Sequence, residues 1–230
     1  MLQDDPIRKQ TIPWTTRDVW YGVFFITLLL AVAIAFILWR KKEFQIDPGV
    51  AIILIEPLFL LPVWIWALRK YRVGWEALGF RHFQGKVIGL GCGLIILIYA
   101  FNIVYGVLLT QFHLKTQADS IMQLTKLTSF GVLWIGGVFI APFVEEIFFR
   151  GFVFAGLRQS YGWKKAALVS SIIFTIAHIQ WTAFPPLFVI GFILAYLYEK
   201  SESIWPAIIM HVTINGLSIG AIYLVKLTQN

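Results

Sequence analysis

Seven apolar stretches, separated by short polar or basic segments, run along the chain: 19–39, 50–68, 87–110, 130–157, 166–179, 187–198 and 204–225. Several match the ~20 residues that an α-helix needs to cross the hydrocarbon of a bilayer. None shows the alternating ten-residue pattern of a transmembrane barrel strand, so helices are expected. The pattern predicts an all-α, polytopic transmembrane helical bundle of about seven spans, six to eight being the range because the fifth and sixth stretches are short.

The intervening segments refine this picture. Residues 1–18 are polar, with Arg8, Lys9 and Arg17, and read as a cytoplasmic N-terminal segment. Residues 19–128 would hold the N-terminal spans, and residues 129–226 a catalytic transmembrane core. The first span is too long for a signal-peptide core and ends at Arg40-Lys41-Lys42, so it is read as retained. Glu56-Pro57 and Pro62 predict a kinked second span. The stretch from Arg69 to Lys86 carries five basic residues and Trp75, as expected for a loop with an amphipathic surface helix. Gly89, Gly91, Gly93 and Gly106 suit close helix contacts in the third span. Asp119 and Ser120 are candidate helix caps, and Arg158, Gly162, Lys164 and Lys165 form a tight basic turn.

Composition agrees with a membrane protein: 59% of residues are hydrophobic, 13% are charged and the mean hydropathy is +0.77. Ten Trp and eight Tyr can furnish interfacial belts. The net charge of +7 sits between apolar spans, which points to anionic headgroups and topology control and away from nucleic acid. With the N-terminus inside, 12 basic residues fall on the cytoplasmic side and 6 on the other, although Arg40-Lys41-Lys42 opposes that orientation. The single cysteine, Cys92, excludes an internal disulfide framework and reads as a packing residue.

The chemistry is concentrated in three late spans. Glu145-Glu146 and Arg150 place two carboxylates and a guanidinium inside hydrocarbon, where ionisable groups mark function. Glu146 and Arg150 share a helix face, as do Phe174 and His178, and His211 and Asn215. Glu145 and His178 each lie 13 residues from the basic turn, hence ~20 Å deep, and Asn215 is at a similar depth. A carboxylate and an imidazole at one level can hold a water and take its proton, while a second His and an Asn amide donate to an oxyanion. Adjacent glutamates point about 100° apart, so Glu146 can bind Arg150 while Glu145 faces a cavity. Structural alternatives stand beside each role: a locking ion pair for Glu146 and Arg150, interhelical hydrogen bonds for His178 and His211, packing glue for Asn215, and lipid-facing packing for Phe174. Glu56 either bonds backbone freed by the kink or borders the cavity.

Glu145-Glu146-x-x-x-Arg150, Phe174-x-x-x-His178 and His211-x-x-x-Asn215 together resemble the three motifs of the CAAX protease and bacteriocin-processing (CPBP or ABI) family, which is related to the Rce1-type prenyl proteases. The resemblance covers about residues 130–220, with a further similarity at Leu78-Gly79-Phe80. It implies a glutamic intramembrane endopeptidase in which Glu145 is the general base and His178 assists it. His211 and Asn215 would form the oxyanion site, and Glu146, Arg150 and Phe174 would support them. Seven spans is one fewer than the family's usual eight. The implied site is metal-free, and no His-Glu-x-x-His helix is present. Expected partners are membrane lipids and a peptide or membrane-protein substrate, with the oligomeric state open. A non-proteolytic scaffold or bacteriocin-immunity protein binding peptides through the same cavity is the alternative. A proton-coupled transporter is a third reading, without the inverted repeat it would need.

Overall fold

The computed structural model describes residues 11–40 and 46–228. Arg8 and Lys9 of the N-terminal segment, and Lys41 and Lys42, lie outside the described residues. Among the described residues eight helices follow one another: α1 (Thr16–Arg40), α2 (Pro48–Arg69), α3 (Lys86–Gln111), α4 (Gln117–Leu127), α5 (130–161), α6 (163–177), α7 (Trp181–Ser201) and α8 (Trp205–Thr228). Among the described residues there is no strand.

Among the described residues six continuous helical runs are long and apolar enough to cross a membrane, and the chain forms a polytopic helical bundle. The expected fourth and fifth spans lie within one run of 48 residues, Phe130–Ala177. Such a run would far exceed a ~30 Å hydrocarbon core if straight. It is broken at Gly162, whose φ of 72° and ψ of 161° no helix tolerates. α5 and α6 therefore fold back on each other, bringing the Ser170 hydroxyl to donate to Phe149 O at 2.9 Å and Phe149 against Phe174 at 5.2 Å.

α5 is the central element. Of its run's most apolar window 61% is buried, against 11% for α1. α1 brings Gly22 against Phe152, and Trp14 donates to Phe152 O at 3.1 Å. The N-terminal segment is thus partly core, because Ile12 and Trp14 are buried where only a polar lead-in was expected. The outer faces of α1 and α3 expose Phe24, Phe36, Ile96 and Val104, as lipid-solvated surfaces should. Close approach in α3 uses Gly91, where an added Cβ would meet Met210 at 2.5 Å. Gly89, Gly93 and Gly106 face open space, and Cys92 is exposed rather than packed, because only one stripe of α3 meets another helix.

Two polar segments differ from expectation. The stretch after Arg69 forms a 3-10 turn, Trp75–Leu78, in place of an amphipathic surface helix, and Leu78 is fully buried. The reason lies in the next residue. Gly79 adopts φ 96°, Tyr198 donates to Leu78 O at 3.3 Å, and Ile204 N donates to Gly79 O at 2.8 Å. The segment is therefore pinned beneath α7 and α8. Arg158 is likewise no surface residue: it is buried and donates to Glu199 and Glu202 at 2.7 to 3.1 Å. Beyond α3, Thr116 caps α4 in a capping box, with Asp119 at the third helical position rather than at the cap. The Thr116 backbone and side-chain hydrogen bonds hold the Asp119 carboxyl below the usual carboxylate range.

The Gly79 geometry makes a prediction. A Cβ there would stand 2.7 Å from the Tyr198 ring in a backbone region that L residues avoid. Gly79→Ala should cost about 1–3 kcal/mol and lower the thermal midpoint in detergent. A midpoint equal to that of the wild type would remove both the Tyr198 contact and the left-handed backbone at Gly79 from the explanation.

Candidate active site

The site is built where α5 departs from regular helix. The turn Ala141–Glu146 is α-helical, but Ile135–Ile140 before it and Ile147–Phe154 after it are π-helical. Pro142 explains the first distortion, since a proline ring clashes with the carbonyl four residues back and has no N–H to donate. In the widened helix Ala141 N donates to Gly136 O, five residues back. By the same spacing Gly137 O would receive from Pro142, which cannot donate. Asn215 on α8 fills that gap, its Nδ2 donating to Gly137 O at 2.8 Å. The Asn215 amide thereby ties α8 to α5 and keeps one further N–H for other use.

Glu145 and Glu146 diverge. Glu146 is fully buried, and its Oε1 lies 2.9 Å from Arg150 Nη1 and 2.7 Å from His211 Nδ1. The arginine contact is an ion pair outside hydrogen-bond alignment. Arg150 Nη1 and Nε and Glu146 Oε2 have no hydrogen-bond partner among the described residues. Arg150 Nη2 donates to Gly191 O of α7 at 3.2 Å, and its guanidinium stacks 4.7 Å from the Phe174 ring. Phe174 is fully buried rather than lipid-facing. Its ring also approaches His178 at 4.5 Å and His211 at 5.8 Å, so it walls three of the polar groups at once.

Glu145 faces the two imidazoles. Its Oε1 is 3.9 Å from His178 Nε2, and its Oε2 is 3.6 Å from His211 Nε2. These separations are too long for direct hydrogen bonds and short enough for one water to touch both partners. The His178 tautomer follows from its other nitrogen. Nδ1 lies 2.8 Å from Phe174 O, and a carbonyl only accepts, so Nδ1 carries a proton. In the neutral ring Nε2 is then an acceptor aimed at the Glu145 side. His211 Nδ1 donates to the Glu146 carboxylate, so its Nε2 becomes a donor only in the imidazolium form. His178 caps α6, which ends at Ala177, and its imidazole is open enough for a substrate to reach.

Six of the seven sequence-derived residues, Glu145, Glu146, Arg150, Phe174, His178 and His211, thus meet in one cluster, whereas Asn215, one turn beyond His211 on α8, is held on Gly137 O. A further residue belongs beside them. Glu56 on α2 makes no hydrogen bond or ion pair among the described residues, and its Oε2 is buried. It does not bond backbone freed by the kink. The groups that Pro57 frees are carbonyls, which a carboxylate cannot satisfy. Among the described residues no group of three His, Cys, Asp or Glu is disposed to hold a metal ion.

An apolar groove of about 470 Å³ lies between α3, α4 and α8, lined by Tyr99, Asn102, Tyr105, Thr182, Pro186 and Ser218 among others and by none of the cluster residues. Tyr99 donates to Ile214 O, next to Asn215, at 2.9 Å.

Comparison with known proteins matches this region. Residues 127–217 match the type II CAAX prenyl endopeptidase Rce1-like family. The membrane protein YdiL of Bacillus subtilis is 34% identical over 76 residues, covering 33% of this chain and 31% of YdiL. The UPF0177 protein YxdF of Lactococcus lactis is 29% identical over 137 residues, 54% of this chain and 73% of YxdF. The membrane-embedded CAAX protease MroQ of Staphylococcus aureus is 23% identical over 161 residues, 66% of this chain and 58% of MroQ. The chain therefore spans less than two thirds of YdiL and of MroQ. No solved structure matches it. Residues 127–217, which hold all three motifs and the turn of α5 that carries the glutamates, are thus the part of this polytopic membrane protein that is similar to Rce1-like CAAX proteases.

Proposed function

We propose that this chain is an intramembrane endopeptidase that hydrolyses a peptide bond with a water activated between Glu145 and His178. The observation that carries this reading is the 3.9 Å separation of Glu145 Oε1 from His178 Nε2, two acceptors facing one water-sized position. A water there donates one hydrogen bond to each and turns its lone pair to the substrate carbonyl. As the oxygen attacks, Glu145 takes a proton. The oxyanion receives hydrogen bonds from the His211 imidazolium, held by Glu146, and from the remaining Asn215 N–H. When the C–N bond breaks, Glu145 returns its proton to the leaving amine, giving a carboxylic acid and an amine.

The substrate is a membrane-anchored or lipidated peptide, its apolar part lying in the groove between α3 and α8. The domain sits in a bacterial-type cell membrane with its N-terminus in the cytoplasm. Purified chain in nanodiscs, given a quenched peptide with a hydrophobic anchor in H2-18O, should place 18O in the new C-terminal carboxylate, and chelators should not slow it. Peptide binding with no cleavage across a broad library would overturn the reading in favour of a scaffold.

A further inference from the structure

Glu56 sits where α2 tightens into the 3-10 turn Glu56–Phe59. α2 runs parallel to α5 in steady register. Gly49 meets Thr128 and Val132, Ile52 and Ile53 meet Gly136, and Phe59 meets Phe148 at 5.1 Å. By interpolation Glu56 lies level with the turn Ala141–Glu146, and the two turns do pack together. Residues three apart share a helix face, so the buried Phe59 fixes the direction of Glu56 toward α5.

The charges of the site do not balance without something further. Glu146 has Arg150, and Glu145 faces His211 Nε2 at 3.6 Å. Glu56 has no cation and no hydrogen-bond donor among the described residues, although its Oε2 is buried. A lone carboxyl in hydrocarbon is costly as the anion and holds its charge only when a cation reaches it, which a ligand can bring.

Building on the peptidase reading, we propose that Glu56 is a specificity residue whose carboxylate receives a Lys or Arg side chain of the substrate beside the scissile bond. A cationic side chain answers both the orphan oxygen and the surplus negative charge, whereas a neutral amide answers only the first. The same reasoning disfavours peptides with acidic residues at that position.

The test uses the full chain in nanodiscs and a set of anchored peptides in which one Lys is moved through the positions flanking the bond. Each Lys peptide is paired with its Gln counterpart. At one position Lys should lower KM about ten- to a hundred-fold relative to Gln, and Glu56→Gln should collapse that ratio to near one. Glu56→Lys should turn the preference toward Glu. A ratio between two peptides does not depend on the fraction of variant that folds. A wild-type protein without a Lys preference, or a preference that survives in Glu56→Gln, overturns the proposal. Binding of the same pairs to Glu145→Gln protein separates the two levels. A Lys preference in binding that requires Glu56, with no hydrolysis by the wild type, upholds Glu56 and sinks the peptidase. Hydrolysis without such a preference does the reverse.

Discussion

Glu145→Gln should abolish hydrolysis while leaving the protein folded. The amide keeps the volume and the reach of the carboxylate but cannot accept a proton, so the step in which water becomes a nucleophile fails. Positioned proton transfer contributes about 10²–10⁴-fold, and a loss of that size in kcat is expected. The fold should tolerate the change because Glu145 forms no direct ion pair with Arg150. The buried Glu146–Arg150 contact at 2.9 Å and the Glu146–His211 contact at 2.7 Å both survive it. Removing one of two neighbouring buried carboxylates also relieves repulsion, so the thermal midpoint in detergent should hold or rise. The measurement is kcat on an anchored quenched peptide alongside a melting curve. A variant that kept more than about a tenth of wild-type kcat would take Glu145 out of proton transfer.

The two halves of the chain were legible to different degrees. Apolar run length located every membrane helix, because solvation by hydrocarbon leaves few other ways to satisfy backbone. The i,i+4 pairs pointed to the candidate cluster for a similar reason, since an isolated Glu, His or Asn in a span needs a partner at its own depth. What stayed hidden depended on distortion and register. Nothing in a hydropathy pattern reveals that Ile135–Ile140 winds as a π-helix, although Pro142 was the clue. The Asn215–Gly137 bond follows from that distortion and could not be anticipated from helical spacing alone. Arg158 looked like a headgroup contact because its partners, Glu199 and Glu202, lie 41 and 44 residues away at the end of α7. Glu56 belonged to a span with no motif, and only the parallel register of α2 against α5 places it beside Glu145.

Arg150→Met should be the most destabilising single change in the chain. Arg150 is one of the largest fully buried side chains, and three elements meet at its guanidinium: Glu146 on α5, Gly191 O on α7 and the Phe174 ring on α6. Methionine fills similar volume, so packing loss is small and the cost isolates electrostatics. Glu146 would be left fully buried with only His211 as a possible counter-charge. Breaking a buried pair from one side typically costs about 3–5 kcal/mol, because the remaining charge stays desolvated. Arg150→Lys should recover little, since an ammonium cannot replace a planar fork that reaches both a carboxylate and the Gly191 carbonyl. The double variant Glu146→Gln, Arg150→Met should regain most of the lost stability, as replacing both members of a buried pair often does. It should not regain hydrolysis, because His211 would then lack the carboxylate that holds its Nδ1–H and orients its ring. Unfolding midpoints in detergent for the three variants, read with their kcat values, separate the two roles. If Arg150→Met alone melted like the wild type, Glu146 would have to be uncharged in the folded protein, and the proposed imidazolium at His211 would lose its anchor.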